Sequence, residues 1–166
     1  KNNLQVVSSL LHVHSSKIQN KDFEELLDQS QHQIHSMSLV HEMLYQKGSI
    51  ALVPMQAYLN ELCKHLLATF SNSEVCTKIN ARDFSLSIDL ANPIGLMVNE
   101  LVTNSLKHAF KDNEGVIKIE LSKEEDTYTF IYKDNGNGIK NDEKKNSSIQ
   151  FGKRLILFLS EEMNAE

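Results

Sequence analysis

The sequence contains few of the residues that mark disulfide-rich, metal-binding or membrane-spanning proteins. Its 166 residues include two cysteines, two prolines, six glycines and no tryptophan. Cys63 and Cys76 lack the C-x-x-C spacing of a metal or redox pair, which predicts reduced thiols packed as small apolar side chains. The longest strongly apolar run, residues 155–159, is far too short to cross a bilayer. These absences predict a cytoplasmic segment that does not itself contact a membrane.

Charge and composition narrow the class of protein further. A net charge of −5 without a basic stripe argues against a nucleic-acid partner. Hydrophobic residues make up 40% and charged residues 23%, as in ordinary globular domains. The sequence starts with Lys rather than Met and shows no signal peptide, so we expect a segment of a longer protein.

The first 46 or so residues have the pattern of two amphipathic helices. Apolar residues recur at helical spacing on both sides of a short polar turn at residues 20–22. Helices joined by so short a turn run antiparallel, and a lone hairpin cannot bury both apolar stripes. A dimeric four-helix bundle would cover them, with Leu10, Leu11, Ile34 and Met37 in its core. The alternative is a hairpin that packs only on the downstream part of its own chain.

After Gly48-Ser49 the pattern changes to helices that alternate with strand pairs. We predict, in order, a helix at 54–70, a hairpin of strands 75–81 and 84–88, a helix at 93–110, strands 116–121 and 128–132, and a final helix starting near Gly152. Helices that alternate with antiparallel strand pairs are typical of an α+β sandwich with helices on one face of the sheet.

One face of the predicted helix 93–110 carries polar groups at helical spacing. Glu100, Asn104, Lys107 and His108 follow one another at intervals that point the same way. An amide oxygen suits a hard cation and lysine suits phosphate, so the set fits a magnesium–triphosphate. Spacing alone is equally typical of a solvated amphipathic face.

Two further features favour a phosphate-containing ligand. Asp134-Asn135-Gly136-Asn137-Gly138 follows a strand directly; its glycines permit close backbone approach, and its aspartate can accept a hydrogen bond from an exocyclic amino group. Gly152, followed by Lys153 and Arg154, stands at a predicted helix start, where free N–H groups and the helix dipole favour phosphate. Taken alone, each is an ordinary turn motif.

In combination these motifs resemble a known family. Residues 99–110 (N-E-L-V-T-N-S-L-K-H-A-F), 134–138 (D-N-G-N-G) and Gly152 occur in the order found in the Bergerat-type ATP-binding domain. Residues 1–11 (K-N-N-L-Q-V-V-S-S-L-L) resemble the segment that follows the phosphoacceptor in sensor histidine kinases with an H-R-V-K-N-N-L-Q signature. Residues 41–45 and 89–96 are similar to later stretches of the same subgroup.

The resemblance implies a domain organisation and an activity. Residues 1–48 would form an N-terminally truncated dimerisation and phosphotransfer hairpin, and residues 49–166 an ATP-binding catalytic domain truncated at its C-terminus. The protein would be a homodimer that uses ATP and Mg²⁺ to phosphorylate a histidine. The phosphoryl group would then pass to an aspartate on the receiver domain of a response regulator.

The resemblance also implies a role for each candidate residue. Asn104 would hold Mg²⁺, while Glu100 would assist it or act as base toward the attacking histidine. The remaining candidates are Lys107, His108, Gly152 and Arg154 for the phosphates, Asp134 for the adenine amino group, and Gly136 and Gly138 for close backbone approach.

The sequence departs from the family pattern in three places. The expected phosphoacceptor lies three residues before Lys1, and His12 and His14 are poorly spaced substitutes. Phe151-Gly152-Lys153 replaces a double glycine, and the family's last strand pair is not represented before Glu166. Two alternatives therefore stay open: an anti-sigma-factor-like serine kinase of the same ATPase fold, and a degenerate module that dimerises without catalysis.

Overall fold

The computed structural model describes residues 27, 30–40, 52–70, 74–82, 84–110, 114–125, 127–137, 154 and 156–161. Helices and strands alternate along these ranges, which confirms the predicted α+β class. In chain order the elements are helix α1 (30–40), β1 (Leu52–Pro54), α2 (Met55–Thr69), β2 (Val75–Asn80), β3 (Ser85–Ser87), α3 (Ile88–Asn104), a π-helix (Ser105–Ala109), β4 (Gly115–Glu124), β5 (Thr127–Asp134) and helix α4 (156–161).

The strands form two sheets. In the larger sheet β4 lies in the middle, parallel to β2 and antiparallel to β5. The residue pairs between β4 and β5 run from Ile117–Asp134 to Glu124–Thr127 at the β4–β5 turn. The smaller sheet pairs β1 antiparallel with β3. The predicted β4–β5 hairpin is therefore present, with both strands longer than the sequence pattern indicated.

The hairpin predicted between residues 75–81 and 84–88 is wrong. Strand β2 pairs with β4 and β3 pairs with β1, so the two predicted partners lie in different sheets. Gln56 of α2 binds the end of β2: its Nε2 donates to the carbonyl of Ile79 at 3.2 Å, and its Oε1 accepts from the N–H of Ala81 at 2.8 Å. These backbone groups are therefore bound by a side chain rather than by a hairpin partner.

One helix boundary and one strand also differ from the prediction. Helix α3 starts at Ile88, so Pro93 lies inside it rather than at its start. The proline removes one hydrogen bond, to the carbonyl four residues earlier, which lies in the first turn of the helix. Strand β1 was not predicted, because three residues are too few to show an alternating pattern.

The core lies between the larger sheet and helices α2 and α3. On β4, Ile117 and Ile119 are fully buried and alternate with exposed Lys118 and Glu120. This period of two places one face of the sheet against the helices. The helices contribute fully buried side chains at helical spacing: Tyr58, Leu59, Leu62 and Leu66 from α2, and Val98 and Val102 from α3.

Helix α1 packs on the same core. Val40 is fully buried in the core cluster, and Met37 and Leu39 pack against it. Tyr58 donates its hydroxyl hydrogen to the carbonyl of Ser36 at 3.2 Å. Part of the second apolar stripe is thus covered by its own chain. Leu10, Leu11 and most of the predicted hairpin lie outside the described residues, so dimerisation stays a prediction.

Two smaller expectations concern the cysteines and the membrane. Cys63 is buried as predicted, whereas Cys76 is exposed on β2, so only Cys63 packs as a core side chain. No described helix is both long and apolar enough to span a bilayer.

Candidate functional site

Glu100 lies on α3 and is almost fully buried, with 1% of its surface exposed. The amide Nε2 of Gln33 on α1 donates a hydrogen bond of 2.9 Å to its Oε1. Burial raises the pKa of Glu100; hydrogen bonds from Gln33 and Asn99 and the charge of Lys107 act in the opposite direction. The sequence placed Glu100 on the face opposite the core, and that is wrong, because α1 covers this position.

Asn104 and Lys107 follow Glu100 along the chain. Asn104 ends α3 and is half-buried, and Lys107 is exposed with its Nζ 5.8 Å from the centre of the Phe70 ring. The charge of Lys107 acts on Glu100, so both residues influence the same local region. The structure thus brings a carboxylate, an amide and an ammonium group near one another over the last turns of this helix.

The helix widens into a π-helix immediately after Asn104. Lys107 and His108 lie in this π-helix, between Ser105 and Ala109. The predicted α-helical spacing is wrong for these two residues, because a π-turn contains more residues than an α-turn. Single π-turns inside α-helices occur frequently at functional sites.

Asp134 ends β5, and its two carboxylate oxygens are both hydrogen-bonded. Ser105 donates its hydroxyl hydrogen to Oδ2 at 2.8 Å, and the backbone N–H of Gly136 donates to Oδ1 at 2.9 Å. The hydroxyl of Tyr132 lies 2.7 Å from Ser105 Oγ and donates to the carbonyl of Leu101 at 3.1 Å. These contacts fix the orientation of the Asp134 carboxylate relative to the helix that carries Glu100 and Asn104.

The loop after Asp134 is attached to the end of the π-helix. A Cβ added at Gly136 would overlap the Cβ of Ala109 and come within 2.8 Å of its carbonyl oxygen. The N–H of Asn137 donates to the same carbonyl at 3.1 Å. In the described residues the close backbone contact at Gly136 is with the π-helix, and close approach to a nucleotide stays a prediction.

Three residues of this region were not identified from the sequence as site residues. Gln33 contacts Glu100 from 67 positions away, Ser105 contacts Asp134 from 29 positions away, and Tyr132 contacts Ser105. Neither Gln33 nor Tyr132 belongs to a recognisable motif. Ser105 is buried. Only tertiary contact identifies the three as neighbours of the candidate residues.

The remaining candidates are only partly described. Arg154 is helical and exposed. His108 is half-buried in the π-helix. Gly138 and Gly152, with the predicted phosphate loop around residue 152, lie outside the described residues.

The residues present fit a magnesium–nucleotide better than a metal bound by protein alone. In the described ranges no group of three His, Cys, Asp or Glu side chains could hold a metal ion. Mg²⁺ in nucleotide sites usually has one or two protein oxygens, and phosphates and waters complete its shell. The half-buried amide of Asn104, one helical turn from a carboxylate, meets that requirement.

Two protein families match different parts of the chain. Residues 1–70 match a family described as histidine kinase. Residues 89–163 match the histidine kinase-, DNA gyrase B- and HSP90-like ATPase family.

Individual proteins similar to this chain are also named as histidine kinases. Blue-light-activated histidine kinase 2 of Erythrobacter litoralis is 23% identical over 172 residues, which cover all of this chain and 49% of that protein. Sensor histidine kinase PdtaS of Mycolicibacterium smegmatis is 27% identical over 146 residues, or 84% of this chain and 28% of that protein. The chain thus spans half or less of the length of these relatives.

A shorter match and a solved structure complete the comparison. The anti-sigma F factor of Clostridium kluyveri is 38% identical over 55 residues, 33% of this chain and 39% of that protein. The histidine kinase domain of the Erythrobacter litoralis EL346 blue-light activated histidine kinase superposes with a TM-score of 0.69 at 23% identity, over 97% of this chain and 76% of that one. At this identity the superposition supports the fold alone.

Proposed function

Because the chain belongs to the histidine kinases, matched in both its N-terminal and its ATPase parts, we propose that it is the kinase core of a two-component sensor histidine kinase. The observation that carries this proposal is the position of Glu100. It lies on the helix with Asn104 and Lys107 and is hydrogen-bonded to Gln33 of α1. The proposed base of the ATP-binding part thus directly contacts the part that resembles a phosphotransfer hairpin.

The proposed domain boundary follows from the sequence motifs, while the family matches cover residues 1–70 and 89–163. Residues 1–48 would dimerise and present the acceptor histidine, and residues 49–166 would bind the nucleotide. Helix α1 belongs to the first part and packs on the core of the second. In this arrangement the two parts contact each other through α1, α2 and α3.

Each candidate residue has a proposed role. Asn104 would offer its amide oxygen to Mg²⁺, and Lys107, with His108 and Arg154, would bind phosphate oxygens. Asp134 would accept a hydrogen bond from the adenine amino group, in the orientation fixed by Ser105 and Gly136. Gly136 and Gly138 would let the loop backbone approach the nucleotide closely, and Gly152 would expose N–H groups to phosphate.

Phosphoryl transfer requires mainly positioning and charge neutralisation from the protein. A bound Mg²⁺ would neutralise charge on the phosphates. Glu100 would accept or orient the proton of the attacking imidazole, and its raised pKa, caused chiefly by burial, brings it closer to that of a histidine. The phosphoryl group would pass afterwards to an aspartate of a response-regulator receiver domain.

The test is phosphate transfer in the full-length protein, because the family resemblance puts the acceptor histidine upstream of Lys1. With ATP labelled at the γ-phosphate, we expect the wild type to acquire acid-labile phosphate. Asn104→Ala should abolish the label, whereas Asn60→Ala, on an exposed face of α2, should leave it unchanged. Label on His12 or His14 would contradict the assigned acceptor.

The second candidate is a serine kinase like the anti-sigma factors, favoured by the 38% identity to the Clostridium kluyveri protein over 55 residues. The same experiment separates the two, because phosphohistidine is lost in acid and phosphoserine is retained. Acid-stable label on a partner protein would support the serine kinase. Absence of label together with absence of nucleotide binding would support the degenerate module.

A homodimer through residues 1–48 is part of the proposal. We expect a concentration-dependent dimer in analytical ultracentrifugation, and Leu11→Asp should shift it toward monomer, since an unpaired buried carboxylate is unfavourable. A monomeric wild type at high concentration would contradict this.

A further inference from the structure

Gln33 connects helix α1 to the proposed base. Its Nε2 donates a hydrogen bond of 2.9 Å to Glu100 Oε1, and Glu100 is 1% exposed. A general base must come within hydrogen-bonding distance of the group it deprotonates. A carboxylate that is covered by α1 and has one oxygen bound to Gln33 does not offer that oxygen to an incoming imidazole.

Other contacts hold α1 in place without involving Glu100. Tyr58 donates to the carbonyl of Ser36 at 3.2 Å, and the rings of His35 and His65 stack with centroids 3.7 Å apart. Val40 adds a fully buried side chain. The hydrogen bond from Gln33 is therefore only one of several contacts that dock α1. For Glu100, in contrast, it is a direct hydrogen bond to the carboxylate.

We propose that Gln33 is a positioning residue that withholds Glu100: its amide holds the carboxylate against α1, and phosphoryl transfer requires this hydrogen bond to open. The inference rests on the proposed function, since it assigns a reaction to Glu100. It gives α1 a direct influence on the ATP site. A movement of α1 that breaks this hydrogen bond and uncovers the carboxylate releases the base, and a return of α1 covers it again.

The test compares two variants of the full-length protein. Gln33→Met keeps the length of the side chain and removes the donor, whereas Tyr58→Phe removes a docking hydrogen bond that does not involve Glu100. For Gln33→Met we expect the kcat of histidine phosphorylation to rise about three- to tenfold, the scale of one intramolecular hydrogen bond. The KM for ATP should change little, and Tyr58→Phe should leave kcat close to that of the wild type.

Other results would contradict the inference. A lower kcat in Gln33→Met would mean that Gln33 holds Glu100 in its active position. An equal increase in kcat in Gln33→Met and Tyr58→Phe would mean that any loosening of α1 is sufficient to release Glu100. The gain should also vanish when Gln33→Met is combined with Glu100→Gln, and a retained gain would overturn the role of Glu100 as the residue withheld.

A separate measurement distinguishes failure of this inference from failure of the proposed function. An unlabelled wild type would overturn the proposed kinase activity. Hydrogen exchange of the peptides containing Gln33 and Glu100 does not depend on activity, and we expect it to be faster in Gln33→Met than in the wild type. Unchanged exchange in Gln33→Met would overturn the inference by itself.

Discussion

The imidazole rings of His35 and His65 are stacked, with centroids 3.7 Å apart and ring planes inclined by 24°. The ring of His32 approaches His65 edge-on at 6.4 Å and lies 5.6 Å from Phe70. Burial, and then the charges of His65 and His32, lower the pKa of His35 to about 4 from 6.5. Burial also lowers the pKa of His65. Helix α1 is thus packed on α2 through His35 and His65, whose lowered pKa values keep them neutral at pH 7.

This cluster predicts a loss of stability in weak acid. Between pH 6.5 and about 4 the unfolded chain binds a proton at His35 that the folded chain does not, so the free energy of unfolding falls as pH falls through this window. Above pH 6.5 both states are neutral and the effect is absent. We expect urea unfolding from pH 7.5 to 4.5 to show a weaker pH dependence for His35→Gln than for the wild type. An equal pH dependence of the free energy of unfolding in the two proteins would contradict the expectation. Because both proteins carry the same carboxylates, the comparison removes the contribution of the carboxylates to the pH dependence.

The second prediction separates metal binding from adenine binding. Asn104→Ala should abolish Mg²⁺-dependent binding of ATP and disturb metal-free ADP binding little, because its proposed contact is with the metal. Asp134→Asn should weaken ATP and ADP alike, by about 1.5–3 kcal/mol, the scale of a hydrogen bond to a charged group. Isothermal titration with and without Mg²⁺ measures both. Equal, metal-independent losses in the two variants would mean that the roles are assigned wrongly.

The third prediction concerns the hydroxyl that orients Asp134. Ser105→Ala removes the donor to Asp134 Oδ2, so we expect ADP affinity to fall by about 0.5–1.5 kcal/mol. Ser105→Thr keeps a hydroxyl donor at this position and serves as the matched control. Calorimetric titration with ADP gives the change, and thermal unfolding shows whether the fold is intact. An alanine variant with wild-type affinity would remove Ser105 from the nucleotide site.

The fourth prediction tests the close approach at Gly136. An alanine there would overlap Ala109, so Gly136→Ala should destabilise the fold by about 1–3 kcal/mol, the usual range for an overpacked contact. It should also move the loop away from the π-helix and weaken ADP binding. Asn137→Ala, at an exposed neighbouring position, keeps its backbone N–H and is the control. Equal unfolding midpoints in urea for Gly136→Ala and the wild type would contradict the prediction.

The sequence predicted those elements whose pattern is local. The helix expected at 54–70 is Met55–Thr69, and the β4–β5 hairpin follows from two alternating stretches around a charged turn. These elements are specified by neighbours within a few residues, so periodicity is sufficient. The ATPase motifs could also be recognised, because each is contiguous.

Features that depend on distant residues could not be predicted in this way. The partner of β2 depends on contacts such as that of Gln56 with Ile79 and Ala81, more than 20 positions away. The burial of Glu100 depends on Gln33, 67 positions earlier. The π-helix follows an α-helix without a change in the apolar pattern that would mark it. The spacing of Glu100 and Asn104 identified the helix face but not what covers it.

Because β2 and β4 are parallel, no tight turn can join them, and the chain between them must fold back across the sheet first. Such non-local pairing is slow to form, whereas the antiparallel β4–β5 hairpin needs only its own turn. We therefore expect the hairpin to form early and the parallel pair late. Asp134 belongs to the hairpin, while Ser105 belongs to the segment that closes last. A chain stopped before this closure would have the β4–β5 hairpin and an unassembled nucleotide site, so nucleotide binding would report the final step of folding.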